Sequence, residues 1–331
     1  MNFFVSEMTF LRYFIPLIKE GNNRNIQSTV YWSPSRKYNC PLKHFKSLKR
    51  LAKEFSFNIK RINDKIKNNR ITFLIEGIGC EHFDGKKISL TYMTDFHVSY
   101  KDYIEKIDYC IFPNKAFLEK FNLPHSSKNL FLGSPKYDVD LDKDAILKKY
   151  NLSDKKKCLI LFPRYRDMQK IDLIKVIKEL KKLDFEVYIK GRGKEPCPKS
   201  ISAEARYFED ELWYPHTSME LIFISDLIIN TDSSGIKECI MLRKPVLNFK
   251  IKPFEATLSF LYNKKPFHAE IKTPIDYGLM KQKVDYLKNI SHRDFQETID
   301  KLLFQPNSSK RILDFLKLPV WNRCSNPSPA I

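Results

Sequence analysis

The residues of this chain best suited to chemistry end an apolar run, in "SDLIINTDSSGIKECIMLRKPVLNF", Ser225 to Phe249. The run stops at Asp232-Ser233-Ser234-Gly235 and a helical pattern follows. Asp232, Ser233 and Ser234 are good N-cap residues. Gly235, one of only 9 glycines in the chain, lets a ligand approach the backbone. The open N–H groups and positive dipole end of the following helix make a ready place for a phosphate or diphosphate. Glu238, about a turn later, is placed to accept both hydroxyls of a ribose. The same residues also fit an ordinary capped helix with a glutamate near its N-terminus.

Other side chains of interest fall at the ends of apolar runs. "CLILFPRYRD" puts Arg164 and Arg166 at a strand end, and arginine suits bidentate phosphate contact. "WYPHTSMEL" holds His216 just ahead of a helix whose N-cap is Thr217 or Ser218. "LIEGIGCEHFDG" carries Glu76, and "LTYMTDFHVSY" carries Asp95 and His97 beyond a strand and before a helix. Asp95 fits an N-cap as well as an acid–base role. There is no D-x-D pair at a strand end and no His/Cys cluster, so no metal site is expected.

The elements that must position these residues alternate along the chain. In the first half strands are expected at Asn2–Ser6, Ser28–Trp32, Thr72–Glu76, Ile88–Met93, Tyr109–Pro113 and Asn129–Gly133. Helices are expected at Thr9–Lys19, Leu42–Phe55, Tyr100–Lys106 and Lys115–Phe121. The polar "SPKYDVDLDKD" reads as a linker. Beyond it strands fall at Cys158–Phe162, Glu186–Lys190, Ala205–Phe208, Asp226–Asn230 and Val246–Phe249. Helical patterns cover Ala145–Tyr150, Met168–Leu183, Ser218–Ile224 and Gly235–Leu242, with Asp276–Asn289, Arg293–Phe304 and Ser309–Leu316 in the tail. Strands alternating with helices predict parallel sheets covered on both faces, an α/β protein. Such sheets bind ligands beyond the carboxyl ends of their strands.

The 225–249 segment resembles the carboxy-domain segment of GT-B glycosyltransferases, which reads "aDl.itDSSG..E....gkPvl..". "YCIFPNKAFLEKF…LFLGSPKYD" looks like the end of a GT-B amino domain. The resemblance implies two Rossmann-like domains facing a cleft: 1–138 for the acceptor and 139–331 for a nucleotide-sugar donor, with the last helices packing back on the first domain. It implies that Asp232, Ser233, Ser234 and Gly235 hold the donor diphosphate and Glu238 the ribose. The signature also occurs in non-hydrolysing UDP-N-acetylglucosamine 2-epimerases and, as D-Y-S-S, in CDP-glycerol glycerophosphotransferases. This chain lacks the G-T-R-P-E-like start of the epimerases. It has "GRGKEPCP" where the glycerophosphotransferases carry a His-Pro pair. Lys190, Arg192 and Lys194 would then supply positive charge to the leaving phosphate, with Arg164, and His216 would sit near the base or phosphate. One or two of these cations are expected to be functional and the others to be surface residues. For an inverting transfer a carboxylate or His must deprotonate the acceptor hydroxyl. Asp95 is the first choice, then His97, then Glu7 and Glu76.

The implied activity is transfer of a sugar from a nucleotide-activated donor to a glycan or lipid-linked acceptor in surface polysaccharide biosynthesis. The donor is a substrate, and no cofactor is implied. Glycerophosphotransfer from a CDP donor, 2-epimerisation, and nucleotide-sugar binding without turnover stay open beside it.

Composition bounds these readings. At 331 residues with 43% hydrophobic content the chain can bury two cores. The 7 cysteines are scattered without a C-x-x-C pair, which fits a reducing cytoplasm. "MNFFVSEMTFLRYFIPLIKEG" lacks a basic start and a small-residue cleavage site, so no signal peptide is read. No run approaches the ~18 apolar residues of a membrane span. Net charge is +19, and residues 36–70 hold 12 Lys/Arg against Glu54 and Asp64. Leu42, Phe45, Leu48, Ala52 and Phe55 form an apolar stripe there, with Lys43, Lys46, Lys49, Arg50 and Lys53 opposite. That face is either plainly solvated or drawn to an anionic membrane on the cytoplasmic side or an acidic glycan. Nucleic acid is not expected, because no helix-turn-helix, RNP or zinc-finger signature accompanies the charge.

Overall fold

The computed structural model describes residues 1–33, 45–67, 69–92, 103–120, 122–124, 126–162, 168–191, 197–209, 214, 216–251, 265–291, 293–299 and 307–318. Thirteen strands are described in chain order: β1 Asn2–Val5, β2 Thr29–Trp32, β3 Asn58–Arg61, β4 Thr72–Ile75, β5 Lys87–Leu90, β6 Tyr109–Phe112, β7 Asn129–Phe131, β8 Lys157–Leu161, β9 Glu186–Lys190, β10 Arg206–Phe208, β11 Leu227–Asn230, β12 Val246–Lys250 and β13 His268–Lys272. The described helices are α1 Leu11–Asn23, α2 Phe45–Glu54, α3 Lys115–Lys120, α4 Lys143–Tyr150, α5 Leu173–Lys182, α6 Lys199–Ser202, α7 Thr217–Ile224, α8 Ile236–Met241, α9 Tyr277–Leu287, α10 Arg293–Thr298 and α11 Ser308–Phe315.

Two compact units divide the chain. The first comprises Met1–Pro113, Leu118–Asp138 and Gln305–Ile331; the second comprises Asn114–Phe117 and Val139–Phe304. The first unit is built on a seven-stranded sheet in the order β3-β2-β1-β4-β5-β6-β7, every described pair parallel. Its central strands β1, β2 and β4 are buried at every position. A strand covered on both faces needs a continuous apolar run, not an alternating one. Phe3 shows the packing: its ring stacks on Phe73 at 5.2 Å and tilts against Phe14 of α1 at 5.3 Å. A phenyl ring buried this way contributes about 1.5–3 kcal/mol. The strand order turns back at β1, which has β2 on one side and β4 on the other.

The C-terminal helix α11 belongs to the first unit for identifiable reasons. The Asp138 carboxylate accepts the Ser308 and Ser309 N–H groups at 3.1 and 2.5 Å, capping α11 from outside the helix. Buried Arg24 donates to the Lys310 and Leu318 carbonyls and pairs with Asp314 at 2.8 Å.

The second unit carries a six-stranded parallel sheet, β10-β9-β8-β11-β12-β13, which turns back between β8 and β11. Cys158, Ile160, Val176, Ile229, Leu247 and Val284 form part of its core. A partly buried ionic cluster fixes α4 to α7: Lys149 Nζ lies 2.7 Å from both Glu220 oxygens, and the Tyr150 hydroxyl donates to the same carboxylate.

Several sequence expectations are corrected here. β3 and β13 were not anticipated, because "NIKR" and "HAEIK" lack the apolar run that marks the central strands. The helix expected at Thr9–Lys19 is a 3₁₀ turn at Met8–Phe10 followed by α1, which continues to Asn23. The long Met168–Leu183 helix is α5, starting at Leu173 because Asp172 caps it by accepting the Lys175 N–H at 3.0 Å. On α2, Leu48 and Leu51 are the buried residues, while Phe45 and Ala52 are half-buried. No helix among the described residues is long and apolar enough to cross a membrane.

Candidate functional site

In an open parallel sheet the strand order reverses at one point. The loops leaving the carboxyl ends of the two strands there diverge to opposite faces and leave a crevice. In the second unit those strands are β8 and β11, and the loop leaving β11 is Thr231-Asp232-Ser233-Ser234-Gly235. The topology therefore puts the most suggestive residues of the sequence at the position where such sheets bind ligands.

The loop is held by a network that the sequence did not reveal. Buried Asn230 and Asn248 end one apolar run and interrupt another. Asn230 Nδ2 donates to Asn248 Oδ1 at 2.9 Å, and the Asp232 N–H donates to the same oxygen at 3.1 Å. Asn248 Nδ2 returns a bond to Asp232 Oδ1 at 2.9 Å, while Asp232 Oδ2 accepts the Ile251 N–H at 3.0 Å. The Thr231 hydroxyl donates to the Leu161 carbonyl at 3.2 Å, tying the loop to the end of β8. Asp232 adopts a left-handed φ of 51°, a conformation that aspartate tolerates better than most residues. The only hint in sequence was an Asn closing "LIIN" and another inside "VLNF".

This arrangement changes the roles assigned from sequence. None of Asp232, Ser233 or Ser234 is the N-cap of the following helix: that position is Gly235, and no side chain caps it. Asp232 instead organises the turn. The Ser233 hydroxyl accepts the Gly235 N–H at 3.3 Å, and Ser234 is exposed. The helix α8 spans six residues, Ile236–Met241, rather than Gly235–Leu242. It is short, so its dipole is weaker than a long helix would supply. Gly235 also has a packing reason. A Cβ there would come within 2.7 Å of Leu161 Cδ1, so the missing side chain lets the turn close onto β8. Glu238 lies in the first turn of α8 and is only 4% exposed.

Lys190 ends β9, next to β8 at the same carboxyl edge. It is buried, and its ammonium donates to the Gly191 carbonyl. His216 occupies the N-cap position of α7, which corrects the expectation of Thr217 or Ser218. Its carbonyl accepts the Met219 N–H at 2.8 Å. His268 on β13 is held neutral near pH 7: burial pushes its imidazole down to about 4, against the opposing pull of the Asp232 carboxylate. Arg164, Arg166, Arg192 and Lys194, with Asp95 and His97 of the first half, lie outside the described residues.

The first sheet has its own reversal point, between β1 and β4. Glu7 follows β1 by two residues and Glu76 follows β4 directly. Glu76 is left-handed, with φ 50°, and its N–H donates to the Leu90 carbonyl at 3.0 Å. The next residue, Gly77, has φ 66° and donates to the Ser89 hydroxyl at 2.9 Å. A Cβ on Gly77 would run into the Tyr103 ring at 2.4 Å, so only glycine closes this turn. Tyr92, past the end of β5, packs its ring edge-on against Phe10 at 5.1 Å and Tyr13 at 5.8 Å. Burial raises its phenol pKa, the Arg12 guanidinium opposes the shift, and the Glu7 and Glu76 charges add to it. The Glu7, Glu76 and Arg12 charges thus all act on Tyr92, and sequence reading had not singled out Arg12 or Tyr92. Among the described residues no group of three His, Cys, Asp or Glu side chains is clustered to hold a metal ion.

No protein-family model matches the chain, and no curated protein sequence matches it. Solved structures do. The wall teichoic acid polymerase TagF superposes with a TM-score of 0.62 at 15% identity, covering 96% of this chain and 88% of that one. The UDP-GlcNAc 2-epimerase from Neisseria meningitidis, bound to UDP-GlcNAc, gives 0.61 at 14% identity over 96% and 99%. The glycotransferase of kitacinnamycin gives 0.56 at 8% identity over 96% and 98%. At such identities the likeness speaks to architecture, and there the resemblance read from residues 225–249 is borne out. With two parallel α/β sheets and this likeness along 96% of its length, the chain has the GT-B fold.

Proposed function

We propose that the chain is a metal-independent glycosyltransferase whose second unit binds a nucleotide-activated sugar and whose first unit binds a glycan or lipid-linked acceptor. The observation that carries this reading is the Thr231–Gly235 turn, locked by Asn230, Asn248 and Asp232 at the reversal point of the second sheet. In this proposal the backbone N–H groups of Ser233 and Ser234 hold the donor diphosphate, the Gly235 N–H being taken by the Ser233 hydroxyl. Glu238 takes the ribose, and Lys190, Arg164, Arg192 and His216 surround the leaving group. Preorganised donors aimed at the departing diphosphate lower the barrier without a metal, because they need not reorganise as charge develops. Structures of fold relatives support a nucleotide-diphosphate ligand: the Neisseria epimerase was solved with UDP-GlcNAc, and TagF was soaked with CDPG. A base from the first unit completes an inverting transfer. Asp95 and His97 remain its first candidates, with Glu76 and Glu7 after them.

The basic face of the first unit supports an acceptor carried on an anionic membrane. Lys46, Lys49, Arg50 and Lys53 of α2 are exposed, as are Lys60 and Arg61 of the edge strand β3. Among these, Arg50 pairs with Glu54 at 3.1 Å.

A thermal-shift panel of UDP-, GDP-, CMP- and CDP-linked donors, CDP-glycerol included, tests the reading. A donor at 100 times its Kd should stabilise the fold by about 2.7 kcal/mol. Slow hydrolysis of the stabilising donor is expected from a transferase without its acceptor. No stabilisation by any donor overturns the proposal. Conversion of UDP-GlcNAc to its C2 epimer replaces transfer with epimerisation.

A further inference from the structure

The C-terminal helix α11 is held by side chains from far along the chain. Its own N-cap residue, Asn307, is left-handed at φ 57° and makes no side-chain capping bond. A helix start leaves its first N–H groups open. Here those of Ser308 and Ser309 are taken by the Asp138 carboxylate, at 3.1 and 2.5 Å. Farther along, the Arg24 guanidinium pairs with Asp314 at 2.8 Å and donates to the Lys310 and Leu318 carbonyls, both at 3.3 Å. Glu20 fixes Arg24 in turn, accepting its Nε at 2.8 Å. Between these polar anchors the helix buries two apolar side chains, Ile312 and Leu313. Phe315 stays 41% exposed, its ring edge-on to Tyr109 at 5.1 Å. An eight-residue helix is too short to hold its shape alone, so α11 is helical only while docked. Asp138 is also the last residue before the long run Val139–Phe304 of the second unit, and the chain returns from that run at Gln305, three residues before Ser308. One carboxylate of the first unit therefore ties together the segments that enter and leave the run.

We propose that α11 is a releasable clasp. Docked, it attaches the run Val139–Phe304 to the first unit at both of its ends, pinned to each other at Asp138. Undocked, it leaves the run attached through the 138–139 connection alone, with more freedom to move. Local opening starts where few apolar contacts are lost. Undocking α11 uncovers Ile312 and Leu313, whereas opening α1 uncovers Leu11, Phe14, Ile15, Leu17 and Ile18. The clasp therefore opens long before the seven-stranded sheet unfolds. The inference stands on the first unit and the path of the chain, and it does not depend on the transfer reading.

Hydrogen exchange of the full wild-type chain across low urea concentrations tests it. The α11 amides should exchange about tenfold or more faster than those of β1 and with little dependence on urea, the mark of local opening. The β1 amides should follow the urea dependence of global unfolding. Asp138→Ala should speed α11 exchange about tenfold, the loss of a charge-assisted cap, and keep the weak urea dependence. Asp314→Asn changes a side chain that is 49% exposed, so the fold survives it, and α11 exchange should rise about twofold or more. Asp138→Ala combined with Leu313→Asp, which puts a carboxylate on the buried face, should leave α11 unprotected and β1 protected. Small-angle scattering from that double variant should show a larger maximum dimension than wild type. The inference is overturned if wild-type α11 amides open only with the urea dependence of β1, or if Asp138→Ala leaves their exchange unchanged. It falls equally if the double variant loses β1 protection, since α11 would then belong to the core. Unprotected α11 with the wild-type scattering curve removes the clasp as a second attachment.

Discussion

Replacing Asp232 by Asn probes the link between the loop network and ligand binding. The carboxylate accepts from Asn248 Nδ2 at 2.9 Å and from the Ile251 N–H at 3.0 Å. Asparagine tolerates the φ of 51° and keeps one acceptor oxygen, so the backbone is undisturbed and one bond survives. The other position becomes an NH2 group facing a donor. A hydrogen bond to a charged acceptor is worth about 1.5–3 kcal/mol. Asp232 is half-buried, so solvent can partly replace the lost partner, and about 1.5 kcal/mol is expected. Asp232→Ala should cost more: it loses both bonds and keeps a left-handed β-carbon, worth roughly 1–2 kcal/mol relative to glycine, without the polar side chain that eases it. Asp232→Gly loses the same bonds without that term, so the Ala–Gly difference isolates the backbone contribution. Urea unfolding gives the stabilities, and titration calorimetry with the donor that stabilises best gives the affinities. The affinity loss should follow the order Ala, then Asn, because the turn carrying Ser233 to Gly235 loosens in that order. An Asn variant with wild-type midpoint and wild-type affinity would refute the network's role in shaping the site.

Gly235→Val should lose nucleotide affinity and also unfold about 1–3 kcal/mol more easily, since its side chain overlaps Leu161 in a packed layer. A Val variant of unchanged urea midpoint would show that the turn does not close on β8. Binding to vesicles with anionic lipid should fall as salt rises and should drop when Lys46, Lys49, Arg50 and Lys53 are changed together to Gln, each contributing about 1 kcal/mol near the surface. Equal binding to neutral vesicles would remove the membrane role of this face.

The sequence by itself determined what depends on local chemistry and periodicity. Continuous apolar runs such as "NFFV" and "LIIN", too short for helices and alternating with helical patterns, fit strands covered on both faces, so the parallel α/β character was legible. The D-S-S-G turn stood out because a scarce glycine sits between a serine pair and a helical pattern. Strands at the sheet margins were not legible. β3 and β13 end the two sheets among the described residues and need no apolar run, so "NIKR" and "HAEIK" carry no such mark.

Tertiary structure decided whatever depends on which strands become neighbours. Only the order β8 next to β11 makes the D-S-S-G loop a reversal-point loop, and only the pairing of β11 with β12 brings Asn248 to Asp232. Gly235 shows the division most plainly. Its lack of a side chain was visible in sequence, where it suggested room for a ligand, but the structure puts Leu161 in the space that side chain would take. Likewise Glu7 and Glu76 lie 69 residues apart in the chain. They come to the same edge of the first sheet because β1 and β4 pair side by side, and no local pattern encodes a pairing made that far along the chain.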